Sequence, residues 1–167
     1  MTRPTVFVAR KLPEDVEARL LRDYDARLNI NDKVYSNDEI VTLAKGADAM
    51  IPCHTEKMNA ALIERLPNSI KALCCYSVGY DHIDLSAAKA KNIQVTNTPN
   101  VLNDATVEIA MLLLLGAARR EYEGETQIRT DTWADWGTSH QLGKQVSGAK
   151  LGILAVSYTH LTLPTKA

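Results

Sequence analysis

The sequence predicts an α/β fold in which a parallel sheet, covered by helices on both faces, is followed by the opening of a second α/β unit. Two observations carry the first part. Between Thr5 and Thr96, short apolar runs of strand length alternate five times with segments of helix length. The links between them are too short for anything but right-handed crossovers, which makes the strands parallel. A third observation carries the second part. After a long polar stretch, Ala149 to Leu154 begins a fresh apolar run, as a new βα unit would.

Thr5 to Ala9 reads as a short buried strand. Pro13 to Tyr24 follows as a helix, because Pro suits a helix start and Val16, Leu20 and Tyr24 share one face. Arg27 to Ile30 is a weaker strand. Ser36-Asn37-Asp38-Glu39 has the spacing of a capping box, which predicts a helix from about Asn37 to Lys45, closed by Gly46. Asp48 to Cys53, Ile70 to Tyr76 and Ile93 to Thr96 then read as strands, with helices at Asn59 to Leu66 and Asp84 to Lys91 between them. The pattern is flavodoxin-like. In such a sheet the carboxyl ends of the strands share one edge, where ligands bind. The loops at Arg10-Lys11, Pro52-Cys53-His54, Ser77-Val78-Gly79 and Asn97-Thr98-Pro99 are therefore expected to converge.

Pro99 makes Asn97 to Asn103 a crossover rather than a further strand. Asn103 or Asp104 can cap a helix running to about Arg120. Val107, Ile109 and Met111 to Leu115 occupy its whole circumference, so it is expected to be buried on all sides. Five short strands offer too little surface for that, and a second domain is expected to cover it. Glu121 to Gly148 is polar, with Trp133, Trp136 and Gly137 in a loop. That loop is either an interface arm or a surface loop clamped by aromatic packing.

Composition narrows the function. A chain of 167 residues with 46% hydrophobic and 23% charged residues is ordinary globular protein. A net charge of −1 gives no footprint for nucleic acid or an anionic membrane. The longest apolar run, Ile109 to Ala118, is too short to span a bilayer. Cys53, Cys74 and Cys75 lack metal-type spacing, and the last two read as small buried hydrophobes of a strand. No metal site is expected. The absence of a secretory pattern at Met1 to Lys11 makes the cytoplasm the expected compartment. A phospho-receiver domain shares the alternation but needs an acidic cluster after its first strand, where this chain has Arg10-Lys11.

The segment SVGYDHID, followed by VTNTP, NDATVEIAMLLLL, the W..W spacing and LGKQVSGAKLGIL, resembles the D-isomer-specific 2-hydroxyacid dehydrogenases, closest to their glyoxylate/hydroxypyruvate reductase branch. The resemblance covers about residues 1 to 154. It implies a two-domain enzyme that reduces a small 2-oxo acid to a 2-hydroxy acid with NAD or NADP as cofactor, a homodimer at full length. Residues 1–99 would be the flavodoxin-like substrate domain. Residues 100–154 would be the crossover helix, arm and first strand of a Rossmann cofactor domain. By position, Ser77, Val78 and Gly79 look like the turn whose backbone amides hold the substrate carboxylate. A Gly turn lets amides converge on an anion with no side chain in the way. The alternative is a tight turn with no ligand. Thr106 resembles the residue that touches the dinucleotide, unless its hydroxyl bonds its own helix. Leu102 resembles a residue lining the nicotinamide side, or packs in a core. His54 lies on the ligand edge or is simply a surface residue. Asn100 stands where the family has Gly.

Beyond Leu154 the family continues into a Gly-rich turn that cradles pyrophosphate. This chain has Ala155, Ser157 and His160 in that register, and residues 155–167 are expected to be a non-native tail, the product of sequencing-adaptor read-through. The family's catalytic Arg, His and orienting carboxylate are expected beyond the end of this sequence. His54, His82, His140 and His160 match none of them, so no catalytic residue is assigned. The chain alone is expected to be inactive. A non-catalytic anion-binding or dimerisation module of the same fold is the alternative function.

Overall fold

A computed structural model describes residues 2–154. The expectations for Ala155, Ser157, His160 and the 155–167 tail fall outside the described residues. The chain divides into two units, Met1–Val101 and Leu102–Ala167, each taken here by itself.

The first unit is the expected flavodoxin-like alternation: β1 (Thr5–Val8), α1 (Glu14–Asp23), β2 (Asp25–Arg27), α2 (Asn37–Leu43), β3 (Ala49–Ile51), α3 (Ala60–Arg65), β4 (Ala72–Cys74), α4 (Leu85–Ala90) and β5 (Gln94–Thr96). All pairings are parallel, in the order β2-β1-β3-β4-β5. Register aligns Phe7, Met50, Leu73 and Val95 across four strands. That row packs with Ile40 of α2, Leu62 and Ile63 of α3 and Ala88 of α4, which form the main core. Each large side chain fully buried there contributes about 1.5–3 kcal/mol. The opposite row begins with Val6 and Val8, which pack with Leu12 and with Val16 and Leu20 of α1. It continues through Ala72, Cys74, Gln94 and Thr96, which are half-buried or exposed. Helices therefore cover one face completely and the other only over its β2-side half.

Local signals set several boundaries. Ser36 Oγ accepts from the Glu39 N–H at 3.3 Å, and the Ser36 N–H donates to Glu39 Oε2 at 2.9 Å, closing the expected capping box. Gly46, at φ 74°, supplies the left-handed residue past the end of α2. The second strand departs from expectation: it is Asp25–Arg27, not Arg27 to Ile30. The cause is Asn29, which is 2% exposed. Its Nδ2 donates to Ala9 O at 2.7 Å and Lys33 O at 2.8 Å, and its Oδ1 accepts from Lys33 N at 3.0 Å. These side-chain bonds replace the ladder, so the chain turns away from β1 and leaves Ile30 exposed.

The second unit holds α5 (Asn103–Arg119) and α6 (Glu121–Arg129), separated by Arg120 in the left-handed region at φ 56°. The extent of α5 is as expected; its burial is not. No residue of α5 is buried, and Leu112 and Leu113 are 64% and 65% exposed. Its apolar circumference needs a cover that the described residues do not provide. Helix α6 was not expected, because Glu121 to Gly148 lacks an apolar stripe and Tyr122 and Ile128 are exposed. Local polar pairs hold it: Arg129 with Glu125 at 2.6 Å, Arg120 with Glu123, and the Thr126 and Thr130 hydroxyls donating one turn back. The arm after it returns to the end of α5 through the Lys144 N–H, which donates to Ala118 O at 2.7 Å. Gly143 is required there, since a Cβ would lie 2.7 Å from that same oxygen. Trp133 and Trp136 pack edge-to-face with centroids 5.4 Å apart. Ala149 to Leu154, expected as a strand, forms none, and Ile153 is 72% exposed. A strand needs a neighbour for its backbone groups, and no described strand pairs with it.

Two outcomes follow. Asn29→Ala strips the partners from three backbone groups and lowers stability by about 2–4 kcal/mol, read as a drop in urea midpoint at unchanged slope. The exposed apolar surface of α5 drives self-association of the chain. A monodisperse monomer in light scattering would contradict that.

Candidate functional site

The parallel sheet sends every strand's carboxyl end to one edge, and hydrogen bonds tie the loops there together. Tyr76 N donates to Pro52 O at 2.9 Å, Cys75 N to Thr96 O at 2.8 Å, and Thr98 N to Ser77 O at 3.0 Å. Arg10 Nη1 reaches Thr55 Oγ1 at 3.0 Å. All four loops expected at this edge are thus linked. A fifth joins them: Arg10 Nε and Nη2 donate to the two carboxylate oxygens of Asp32, both at 2.8 Å. The Lys11 N–H adds a bond to Asp32 Oδ1 at 3.0 Å.

The turn Ser77-Val78-Gly79 has a one-sided hydrogen-bond pattern. Each of its carbonyls is occupied: Ser77 O by Thr98 N, Val78 O by Asn97 Nδ2 at 2.8 Å, and Gly79 O by Ser77 Oγ at 2.7 Å. None of its three N–H groups donates to another group among the described residues. Ser77 and Val78 are half-buried and Gly79 is exposed. Gly79 is not forced by a left-handed backbone; a Cβ there would meet only Asp81 Oδ1, at 3.1 Å. Asn100, standing where Gly was expected by resemblance, has φ 64°. Asn is the side chain that best tolerates that region, so the turn keeps a glycine-like backbone.

Other groups on this edge have different fates. His54 is exposed, with Nδ1 3.4 Å from Cys53 Sγ. His54, Lys57, Asp81, His82 and Asp84 line an open depression of about 580 Å³. Burial pushes the His82 imidazole below its ordinary range, against the opposing pull of Asp81, and its Nε2 has no hydrogen-bond partner. Burial raises the Cys75 thiol, which keeps it protonated and inert. Among the described residues no cluster of His, Cys, Asp or Glu suits a metal ion.

Leu102 and Thr106 belong to the second unit. Leu102 is half exposed and takes the N-cap position of α5 without a side-chain cap. Thr106 Oγ1 donates to Leu102 O at 2.8 Å, so its hydroxyl hydrogen is spent on its own helix and only its lone pairs remain. Sequence reasoning missed Asn97, Thr55, Glu56 and Asp32. Asn97 carried a local signal, an amide next to Thr98-Pro99 on an edge loop; Asp32 and Thr55 pair with Arg10 across long stretches of chain, whereas Glu56 pairs locally with Thr55 and Cys53.

The fold and this edge define an α/β domain built to present a loop cluster, with free backbone amides, at the carboxyl end of a parallel sheet. Residues 6–164 match the D-isomer specific 2-hydroxyacid dehydrogenase catalytic domain, and the chain belongs to that family. The matched span runs past Leu154. The chain is 41% identical over 153 residues to a glycerate dehydrogenase of Hyphomicrobium methylovorum, covering 92% of this chain and 48% of the relative. It is 34% identical over 156 residues to a glyoxylate reductase of Thermococcus litoralis, covering 91% and 47%. A crystal structure described as a D-isomer specific 2-hydroxyacid dehydrogenase, NAD-binding, from Polaromonas sp. JS6 66 superposes with a TM-score of 0.80 at 38% identity, over 89% of this chain and 46% of that one. The chain spans about half the length of the curated relatives it matches.

The Arg10–Asp32 pair gives the edge a pH signature. The Arg10 hydrogen bonds, then the Lys11 amide, hold the Asp32 carboxyl down at about 2, against an ordinary 3.8. A depressed carboxyl stabilises the fold fully above its unfolded value and loses that contribution as pH falls through the folded one. The window is therefore about pH 4 down to pH 2. Acid unfolding of Asp32→Asn should be flatter across that window than that of the parent, and the difference should shrink in high salt because Asp32 is half exposed.

Proposed function

We propose that this chain is the substrate-binding half of an NAD(P)-dependent D-2-hydroxyacid dehydrogenase, and that Ser77, Val78 and Gly79 hold the carboxylate of a small 2-oxo acid such as glyoxylate or hydroxypyruvate. One observation carries this: every carbonyl of the turn is engaged, and none of its N–H groups has an acceptor among the described residues. A run of backbone amides with its carbonyls turned to other partners presents only positive dipole ends to a ligand. Fixed donors of this kind bind an anion without reorganising, which is what a carboxylate next to a reacting carbonyl requires. The names of the relatives, a glycerate dehydrogenase and a glyoxylate reductase, support the substrate class.

The residues present fit one end of a nicotinamide cofactor. Half-exposed Leu102 offers an apolar face, and the uncapped first turn of α5 beside Thr106 offers N–H groups. The bound cofactor would supply or take the hydride. The chain spans about half the length of the relatives it matches, and we infer that hydride transfer belongs to a longer, cytoplasmic, homodimeric protein while this chain by itself binds the acid. The exposed α5 favours the second reading, a non-catalytic anion-binding or dimerisation module, to the extent that it calls for a partner.

Amide NMR decides the carboxylate role. Titration with glyoxylate should move the Ser77, Val78 and Gly79 N–H resonances, and acetate should move them less. Asn97→Ala frees the Val78 carbonyl and should weaken glyoxylate binding by about 1 kcal/mol, roughly fivefold. Unmoved resonances in the parent would sink the assignment. NADH or NADPH absorbance should stay constant with glyoxylate and this chain; steady oxidation would refute the inactivity.

A further inference from the structure

We propose that Arg10, Thr55 and Glu56 are positioning residues for the Ser77–Gly79 turn, setting its affinity for a carboxylate without touching the ligand. The inference rests on the carboxylate role proposed above for that turn.

Glu56 is 4% exposed, an unusual place for a carboxylate. Both its oxygens are occupied: Oε1 accepts from Thr55 Oγ1 at 2.7 Å and Oε2 from the Cys53 N–H at 2.8 Å. An apolar side chain would fill that space at no desolvation cost, so the carboxylate is there for what it holds. It holds the loop after β3 closed, assisted by the Glu56 N–H, which donates to Cys53 O at 3.2 Å. That loop touches the next one at two points. Pro52 O accepts from Tyr76 N at 2.9 Å, and Cys53 Sγ lies 3.6 Å from Tyr76 O. Tyr76 immediately precedes the turn. On the other side, the Thr55 hydroxyl accepts from Arg10, which is clamped in turn on Asp32. A continuous chain of contacts thus runs from the loop after β2, through Asp32, Arg10, Thr55, Glu56 and Cys53, to Tyr76 and the turn. The Thr55 hydroxyl is the joint, accepting from Arg10 while donating to Glu56.

The test uses Thr55→Val, which removes the hydroxyl and keeps the shape, beside Thr55→Ser, which restores it. Hydrogen exchange is read without ligand at the Cys53 and Tyr76 amides, with Met50 as a core reference. In Thr55→Val the two amides should exchange roughly tenfold faster, the effect of losing about one hydrogen bond locally, with Met50 unchanged. Thr55→Ser should match the parent. The glyoxylate dissociation constant should rise several-fold in Thr55→Val and return in Thr55→Ser. Unchanged exchange at Tyr76 in Thr55→Val, equal acceleration at Met50, or a Thr55→Ser that behaves like Thr55→Val each overturns the proposal. If even the parent fails to bind glyoxylate, the carboxylate role falls by itself, because the exchange comparison needs no ligand.

Discussion

The register that sets Phe7, Met50, Leu73 and Val95 side by side is the constraint on which the first unit depends. Side chains alternate along a strand, so slipping any one strand by a residue would move its buried member to the open face. With the row fixed, α2, α3 and α4 have one surface to cover, and each of the three supplies a buried residue to it. With the strands parallel, their carboxyl ends are fixed to one edge. The loops that meet there are brought together by the core and joined by their own hydrogen bonds.

Those hydrogen bonds give the edge its chemical character. Arg10 is neutralised by Asp32 and spent on Thr55, so it offers no free charge to a ligand. Lys11 and Lys57 remain exposed on the same edge, and beside them the Ser77 to Gly79 amides have no acceptor among the described residues, while Asn97, Thr98 and the Ser77 hydroxyl occupy the carbonyls. Those backbone donors are set by the shape of the turn and not by side-chain charge.

Legibility in the sequence followed the range of each interaction. The capping box at Ser36 and Glu39 is three residues long and was readable directly. The apolar run from Thr5 to Ala9 was readable as a strand for the same reason. The second strand was misplaced, by two residues at its start and three at its end, because Leu28 and Ile30 look like strand, while Asn29 acts through Ala9, twenty positions away. Helix α6 was invisible because it is held by charges and hydroxyls with no apolar stripe to betray it. The edge network was out of reach for a different reason: Arg10 pairs with residues 22 and 45 positions away, and nothing local to Asp32 or Thr55 announces either bond. The extent of α5 was legible from its local pattern, although the cap expected at Asn103 or Asp104 is not made: Leu102 takes that position with no side-chain bond. Its burial was not, because burial depends on what covers it.

That dependence separates the two units physically. In the first, large apolar side chains such as Ile40, Met50, Leu62 and Leu73 are essentially fully buried, and the fold closes on itself. In the second, Ile109, Leu112, Leu113 and Leu115 are each about half exposed or more. Covering four such side chains is worth on the order of 5 kcal/mol, comparable with the whole stability of a small domain. A driving force of that size does not stay unused in water. It is satisfied by further chain, by a second copy, or by aggregation. The first unit thus completes its own core, while the helix that follows keeps an apolar surface that still calls for a cover.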